Sequence, residues 1–260
     1  MQDYFKHLLI RTPLQKPAET LRSLVQIREQ KKYPELQEIY LEPYRIEQMM
    51  RRVINHSFNC FDIGCHLGAL LNTMLQLAPQ GKHIAFEPTP HKANWLRQKF
   101  PEVDIRELAL SDKPGEVAFY INTRVSGVNA LYAEKKEESE NTEKIIVKSE
   151  RLDNVLNPEQ RVDFIKIDVI GAELAVLRGA EETLSRYQPI VLFESGREKL
   201  ATFNFTTAEV FEFLTQQHSY SIFLLKDFLN NGQPLSFERF DQAHEYPFQA
   251  FNFLAVPKQG

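Results

Sequence analysis

Apolar residues change period along this chain, and each change marks a different kind of element. Ile46, Met49, Met50 and Val53 recur at i, i+3, i+4 and i+7, the stripe of an amphipathic helix. Residues 1–56 therefore read as a helical N-terminal extension, broken into shorter helices at Pro34 and Pro43. Residues 57–260 read as one α/β domain. Phe58 to Ile63 is apolar enough for a buried strand, Ala69 to Ala78 carries a helical stripe through Leu70, Leu71, Met74 and Leu75, and His83 to Phe86 is a second strand. A helix near His91 to Phe100 and a strand near Val103 to Leu110 follow, and Gly115 to Asn122 alternates like an edge strand or hairpin.

Glu134 to Glu143 is a charge run that reads as surface loop, preceded by the turn-like Ser126-Gly127-Val128-Asn129, a loop position where substrate specificity can reside. A β-rich run centred on Ile165, a helix through Leu177 and Leu184, and a strand from Pro189 to Phe193 complete an alternation typical of a parallel sheet flanked by helices. Thr206-Thr207-Ala208-Glu209 is a capping box opening a helix from Val210 to Gln217. Ser221 to Asp227 and Ala250 to Val256 read as a closing antiparallel strand pair, with Asn230-Asn231-Gly232 as the turn between them. Phe203, Phe205, Phe251 and Phe253 read as core.

The chemistry sits where strands end. Asp62-Ile63-Gly64-Cys65-His66-Leu67-Gly68 runs from an acid at a strand tip through a glycine turn into a helix, and glycines there let backbone approach a ligand. A second acid, Glu87, ends the next strand, 87 − 62 = 25 residues on, where it can accept hydrogen bonds from both hydroxyls of a ribose. Only two glycines flank Cys65, His66 and Leu67, whereas a pyrophosphate needs three in G-x-G-x-x-G. S-adenosylmethionine has no phosphate and carries an ammonium that suits Asp62, so it is the favoured cofactor; a nicotinamide cofactor and an empty structural turn are the alternatives. His66 is read either as a catalytic imidazole or, preferably, as a group contacting the cofactor's carboxylate, and His91 as a surface residue of a first helical turn.

In Phe164-Ile165-Lys166-Ile167-Asp168, alternate residues share a face. Lys166 in a central strand needs a carboxylate partner, with Asp168, Glu173 and Glu194 as candidates. Asp168 and Glu194 end neighbouring strands at the rim where open α/β sheets bind ligands, which makes them the candidate catalytic pair. Without a third ligand they are a poor metal site, and no Cys/His cluster has zinc spacing.

Composition narrows the class. A chain of 260 residues with 43% hydrophobic content can bury a large core, and its formal net charge of -4 argues against a nucleic-acid partner held by phosphate contacts. Cys60 and Cys65 should face opposite ways, so a disulfide is not expected and a reducing cytoplasmic setting is the default. There is no 18-residue apolar run and no signal-peptide pattern, so no membrane span is expected. The first 56 residues hold ten Lys/Arg against seven Asp/Glu, a solvated helix face read as packing or homo-oligomer contact, with a substrate lid as the alternative.

Taken in order, Asp62-Ile-Gly64 with Gly68, Phe86-Glu87-Pro88, Ala109-Leu110-Ser111, Leu152-Asp153, Lys166-Ile-Asp168-Val-Ile-Gly171-Ala-Glu173 and Leu177-Arg-Gly179-Ala180 resemble the FkbM-type methyltransferases. That resemblance covers about residues 58–196 and implies a class I methyltransferase fold, a mostly parallel Rossmann-like sheet with an antiparallel C-terminal strand. It implies S-adenosylmethionine as donor and a hydroxyl of a sugar, glycan or natural product as acceptor. Carried over, Asp62, Gly64 and Gly68 line the methionine end, Glu87 the ribose and the Leu108-Ala109 neighbourhood the adenine, with Cys65, His66 and Pro88 as further cofactor-binding residues, and Asp168 lies beside the sulfonium. Three positions depart from the family pattern: His66 for a frequent asparagine, Ile170 for a usual glutamate, and Gly196 for a frequent histidine. The alternative they raise is a binding protein that keeps the fold but has lost chemistry. Methylation of DNA or protein nitrogen is disfavoured, because Asp168-Val-Ile-Gly171 stands where an Asn/Asp-Pro-Pro-aromatic motif would grip a planar amine.

Overall fold

Strands buried on both faces dominate the centre of the molecule, where Cys60–Ile63 and Phe164–Ile167 lie side by side with every residue buried. The computed structural model describes residues 12, 32–122, 130–131, 142–157 and 159–258. In chain order, helix α1 (Gln37–Val53) leads to β1 (Cys60–Ile63), α2 (Ala69–Leu77), β2 (Ile84–Phe86), α3 (Pro90–Lys99) and β3 (Asp104–Arg106). Then come β4 (Ala109–Leu110), β5 (Gly115–Asn122), β6 (Ala130–Leu131), β7 (Thr142–Glu150), a short α4 (Leu152–Val155) and β8 (Phe164–Ile167). Helices α5 (Glu173–Arg178) and α6 (Glu181–Tyr187) precede β9 (Ile190–Glu194); α7 (Arg197–Ala201) and α8 (Thr207–Glu212) precede β10 (Tyr220–Leu224). The chain closes with α9 (Leu225–Leu229), α10 (Phe237–Gln242) and β11 (Asn252–Pro257).

The main sheet has seven strands in the order β10-β11-β9-β8-β1-β2-β3, and β11 alone runs antiparallel to its neighbours. This is the class I methyltransferase sheet. From β1 the chain moves outward through β2 and β3, then returns to lay β8 on the other side of β1. That reversal opens a crevice at the carboxyl ends of β1 and β8, where such sheets bind ligands. One face of the sheet buries Phe61, Ile63, Ile165, Ile167 and Phe193; the other buries Cys60, Phe164 and Leu192 against Met49 and Met50 of α1. Cys60 and Cys65 are both free and buried in different clusters.

Helix α1 runs unbroken through Pro43, contrary to the break expected there, while Pro34 opens a single 3-10 turn at Pro34–Leu36. An interior proline costs about 3 kcal/mol, but burying Ile46, Met49 and Met50 returns about 1.5–3 kcal/mol each. Glu42, one residue earlier, accepts hydrogen bonds from Phe251 N and Asn252 N, both at 2.8 Å, and so pins the helix to β11.

The strand expected over Val103 to Leu110 is two strands in two sheets. β4 leaves the main sheet and pairs with β7, which with β5 and β6 forms a second sheet in the order β4-β7-β5-β6. β7 was not expected; its inward residues Val147 and Ser149 are buried between exposed Ile146 and Lys148. The helix expected over Val210 to Gln217 changes to a π turn at Phe213–Gln217. Asn230-Asn231-Gly232 is a turn, but α9 and α10 separate β10 from β11, so it joins no hairpin. Phe253 is fully buried whereas Phe203, Phe205 and Phe251 are half-buried. The segment Ser126 to Asn129 and most of the charge run lie outside the described residues. Among the described residues no helix is long and apolar enough to cross a membrane.

Candidate active site

Close approach of two strand ends explains the first glycine. Gly64 has φ +75°, and a Cβ there would stand 2.0 Å from the backbone oxygen of Asp168. The loop continues through His66, also left-handed at φ 53°. Its amide N–H donates to Glu87 Oε2 at 2.9 Å, and Thr89 N–H donates to Glu87 Oε1 at 3.0 Å. Glu87, 4% exposed at the tip of β2, thus ties the glycine loop down while each oxygen keeps a second lone pair. A cavity of about 270 Å³ opens between these loops. Asp62, Gly64, Cys65, His66, Glu87, Pro88, Leu108 and Ala109 line it, together with Lys166, Asp168 and Ile170. Gly68 stands back from the cavity, where a Cβ would collide with the Phe100 ring at 2.5 Å. His91 is exposed.

Lys166 contacts Asp168, one of its expected partners, and lies closer still to Asp62, which was not among them. Register places Asp62 of β1 directly beside Lys166 of β8, and Nζ lies 3.1 Å from Asp62 Oδ1 and 3.6 Å from Asp168 Oδ2. Nζ also donates to the Gly64 carbonyl at 2.6 Å. Burial works against the ammonium, but Asp62 and then Asp168 outweigh it and hold its pKa above the ordinary lysine value. Lys166 thus occupies Asp62 Oδ1 as an ion pair, while Asp62 Oδ2 is buried with no well-aligned hydrogen-bond donor among the described residues. An acceptor oxygen left open on a cavity wall can take a donor from a ligand.

At the rim, Asp168 follows β8 with its side chain 46% exposed, and Glu194 ends β9. Lys199 Nζ of α7 sits 2.6 Å from Glu194 Oε1, while Glu194 Oε2 is buried without a donor. Burial first, and the facing Asp168 second, push Glu194 up to about 7 against the pull of Lys199. Glu173, 1% exposed, is structural here: its carboxylate accepts from Gly171 N at 2.9 Å and Val169 N at 3.2 Å. Burial, then the charge of Glu194, pushes Glu173 up to about 8. These bonds brace a turn in which Ile170 takes φ 54°, a conformation costing a non-glycine residue roughly 1–2 kcal/mol. Gly171 follows at φ +97°, and a Cβ on it would meet Lys199 O at 2.3 Å, so α7 packs directly on the turn.

Sequence reasoning missed three residues here. Lys92, 2% exposed with its pKa lowered by burial, and Phe119 of the second sheet both line the cavity. Lys199 reads in sequence as an ordinary helix-surface charge, and its only signal is a position five residues after Glu194. Gly196 carries no imidazole, but one reaches the neighbouring residue from elsewhere: His244 Nε2 lies 3.0 Å from Ser195 Oγ.

The family model of the methyltransferase FkbM domain matches residues 62–222. Over 155 residues the chain is 30% identical to the 2-O-methyltransferase NoeI of Sinorhizobium fredii (strain NBRC 101917 / NGR234), covering 53% of this chain and 63% of that one. It is 27% identical over 143 residues to Methyltransferase 1 of Beauveria bassiana (strain ARSEF 2860), covering 46% and 57%. The chain thus spans less than two thirds of the length of these curated relatives. The crystal structure of methyltransferase FkbM from Methylobacillus flagellatus KT aligns over 78% of this chain and 44% of that one, at 14% identity and a TM-score of 0.47.

Proposed function

The chain belongs to the FkbM methyltransferase domain family, and from that premise we propose that it is an S-adenosylmethionine-dependent O-methyltransferase. Its acceptor is a hydroxyl of a sugar, glycan or natural-product small molecule; the NoeI relative, named a 2-O-methyltransferase, supports the hydroxyl. The observation that carries the reading is the buried carboxylate of Asp62 on the wall of the cavity, paired with Lys166 at one oxygen and with its other oxygen left without a well-aligned donor among the described residues. The ammonium of the cofactor's methionine supplies donors of matching charge. Glu87, at the other strand tip, accepts from ribose hydroxyls with the lone pairs its own loop leaves free. Leu108, Ala109 and Phe119 offer an apolar wall to the adenine. When bound, the cofactor supplies an electrophilic methyl group.

Asp168 is the group this chain offers to an acceptor hydroxyl. It borders the cavity and is exposed enough to meet a substrate from solvent, with Glu194 behind it. A hydroxyl is a poor nucleophile until its proton is shared or taken, and a carboxylate at this rim can hold that proton. Calorimetry with S-adenosylmethionine, combined with turnover to S-adenosylhomocysteine across a panel of hydroxylated acceptors, tests the proposal. Binding is expected, and Glu87→Ala should weaken it at least about tenfold, the loss of a charge-assisted hydrogen-bond pair. Equal affinity in the two proteins removes Glu87 from the ribose. Binding without turnover on any acceptor leaves the binding-protein alternative.

A further inference from the structure

Lys199 stands outside the cavity lining, yet three features tie it to the reacting rim. Its ammonium contacts Glu194 Oε1 at 2.6 Å; its backbone carbonyl abuts Gly171 in the turn that follows Asp168; and the second Glu194 oxygen is buried with no donor. We infer that Lys199 is a positioning residue for methyl transfer: it holds Glu194 behind Asp168, so that the two carboxyl groups receive the acceptor's proton as a pair. The inference rests on the methyl-transfer reading above and adds to it a residue and a proton path.

The balance is simple. The acceptor's O–H bond breaks as its oxygen forms a bond to the methyl carbon, the S–C bond electrons stay on the departing sulfur, and the proton resides on the carboxyl pair. A pair that already holds a proton takes a second one poorly, so the competent form is the fully ionised one. Charged groups facing Glu194 come from every side: Asp168 after β8, Glu173 of α5 and Lys199 of α7, with Lys166 beyond Asp168. Asp168 is the acid that disfavours its ionisation, and Lys199 is the cation that favours it.

An ordinary surface ion pair would stabilise the fold slightly and leave proton chemistry alone. The test compares wild type, Lys199→Met and Lys199→Arg by two readouts. In turnover, the acidic limb should lie near pH 7 in wild type, where Glu194 titrates. In Lys199→Met it should move up by roughly half a unit or more, a modest shift because Lys199 is 42% exposed; at pH 7 this lowers turnover by about twofold or more, with rates converging near pH 9. Lys199→Arg, which keeps the cation, should follow wild type. The second readout needs neither cofactor nor acceptor: the melting-temperature difference between wild type and Lys199→Met should be larger at pH 8, where Glu194 is ionised, than at pH 5. An unmoved limb or a pH-independent melting difference overturns the inference. If no acceptor turns over, the methyl-transfer reading fails separately, and the melting comparison alone decides whether Lys199 governs the proton on Glu194.

Discussion

Two lysine–carboxylate pairs stand along the carboxyl ends of the main sheet, and they solve different problems. Lys166 and Asp62, with side chains 7% and 1% exposed, form a pair fixed by strand register at the floor of the cavity. Lys199 and Glu194, 42% and 16% exposed, join a short helix to a strand end at the rim. In the floor pair opposite charge outweighs burial and keeps the lysine charged; in the rim pair burial and a second acid outweigh the lysine and keep the carboxyl close to neutral titration. Both lysines are held charged by the acids around them, so the difference lies in the carboxyl: Glu194 meets burial and a second acid that its half-exposed lysine does not offset. A fixed charge suits holding a cofactor, and an adjustable one suits moving a proton.

The floor pair offers the largest effect. Lys166→Met strands Asp62 as a buried, unpaired charge, which should cost about 3–5 kcal/mol of stability in chemical denaturation. Lys199→Met, at a half-exposed pair, should cost less than about 1 kcal/mol at neutral pH. Equal costs would erase the distinction between the two pairs. The double variant Asp62→Leu with Lys166→Met sharpens it, since replacing both charges should recover much of the loss.

Turnover separates the regions next. Asp168→Asn keeps the shape of the rim and removes the carboxylate that meets the acceptor. Cofactor affinity should stay within a few-fold while turnover falls on the order of a hundredfold. Retained turnover eliminates Asp168 as the base. A collapse of cofactor binding would instead assign Asp168 to the floor, through its 3.6 Å contact with Lys166.

Which of these features the sequence reveals depends on how local their causes are. Asp62 and Glu87 are legible because each ends a strand bounded by its own turn, in consecutive β-α units. The closer partner of Lys166 is not, although Asp168 is: Asp62 lies 166 − 62 = 104 residues away, and only the reversal that sets β8 beside β1 brings them together. Strand β7 escapes because its outward positions, Lys144, Ile146 and Lys148, continue a charged stretch and hide the buried alternation of Val147 and Ser149. Pro43 misleads because propensity is local, whereas the burial that holds α1 straight comes from the sheet.

A third carboxylate tests the rule that the surrounding charges decide ionisation. Glu173 is as buried as Asp62 but forms no lysine ion pair among the described residues; its carboxylate accepts from the amides of Gly171 and Val169, and it is pushed up to about 8 from an ordinary 4.5. A carboxyl with a raised folded-state pKa stabilises the native protein when protonated. That contribution is complete below pH 4.5 and is lost as pH rises toward 8, because the folded state binds more protons than the unfolded chain in this window. Glu194 adds a slope of the same sign up to about 7. Glu173→Gln keeps a side-chain oxygen for the Gly171 amide and removes the titration. Denaturation between pH 5 and pH 8 should therefore show wild type losing on the order of 3 kcal/mol more than Glu173→Gln. Parallel curves would mean that Glu173 is ionised throughout, with the two amides standing in for a lysine, and the contrast between floor and rim would then rest on hydrogen bonds as much as on charge.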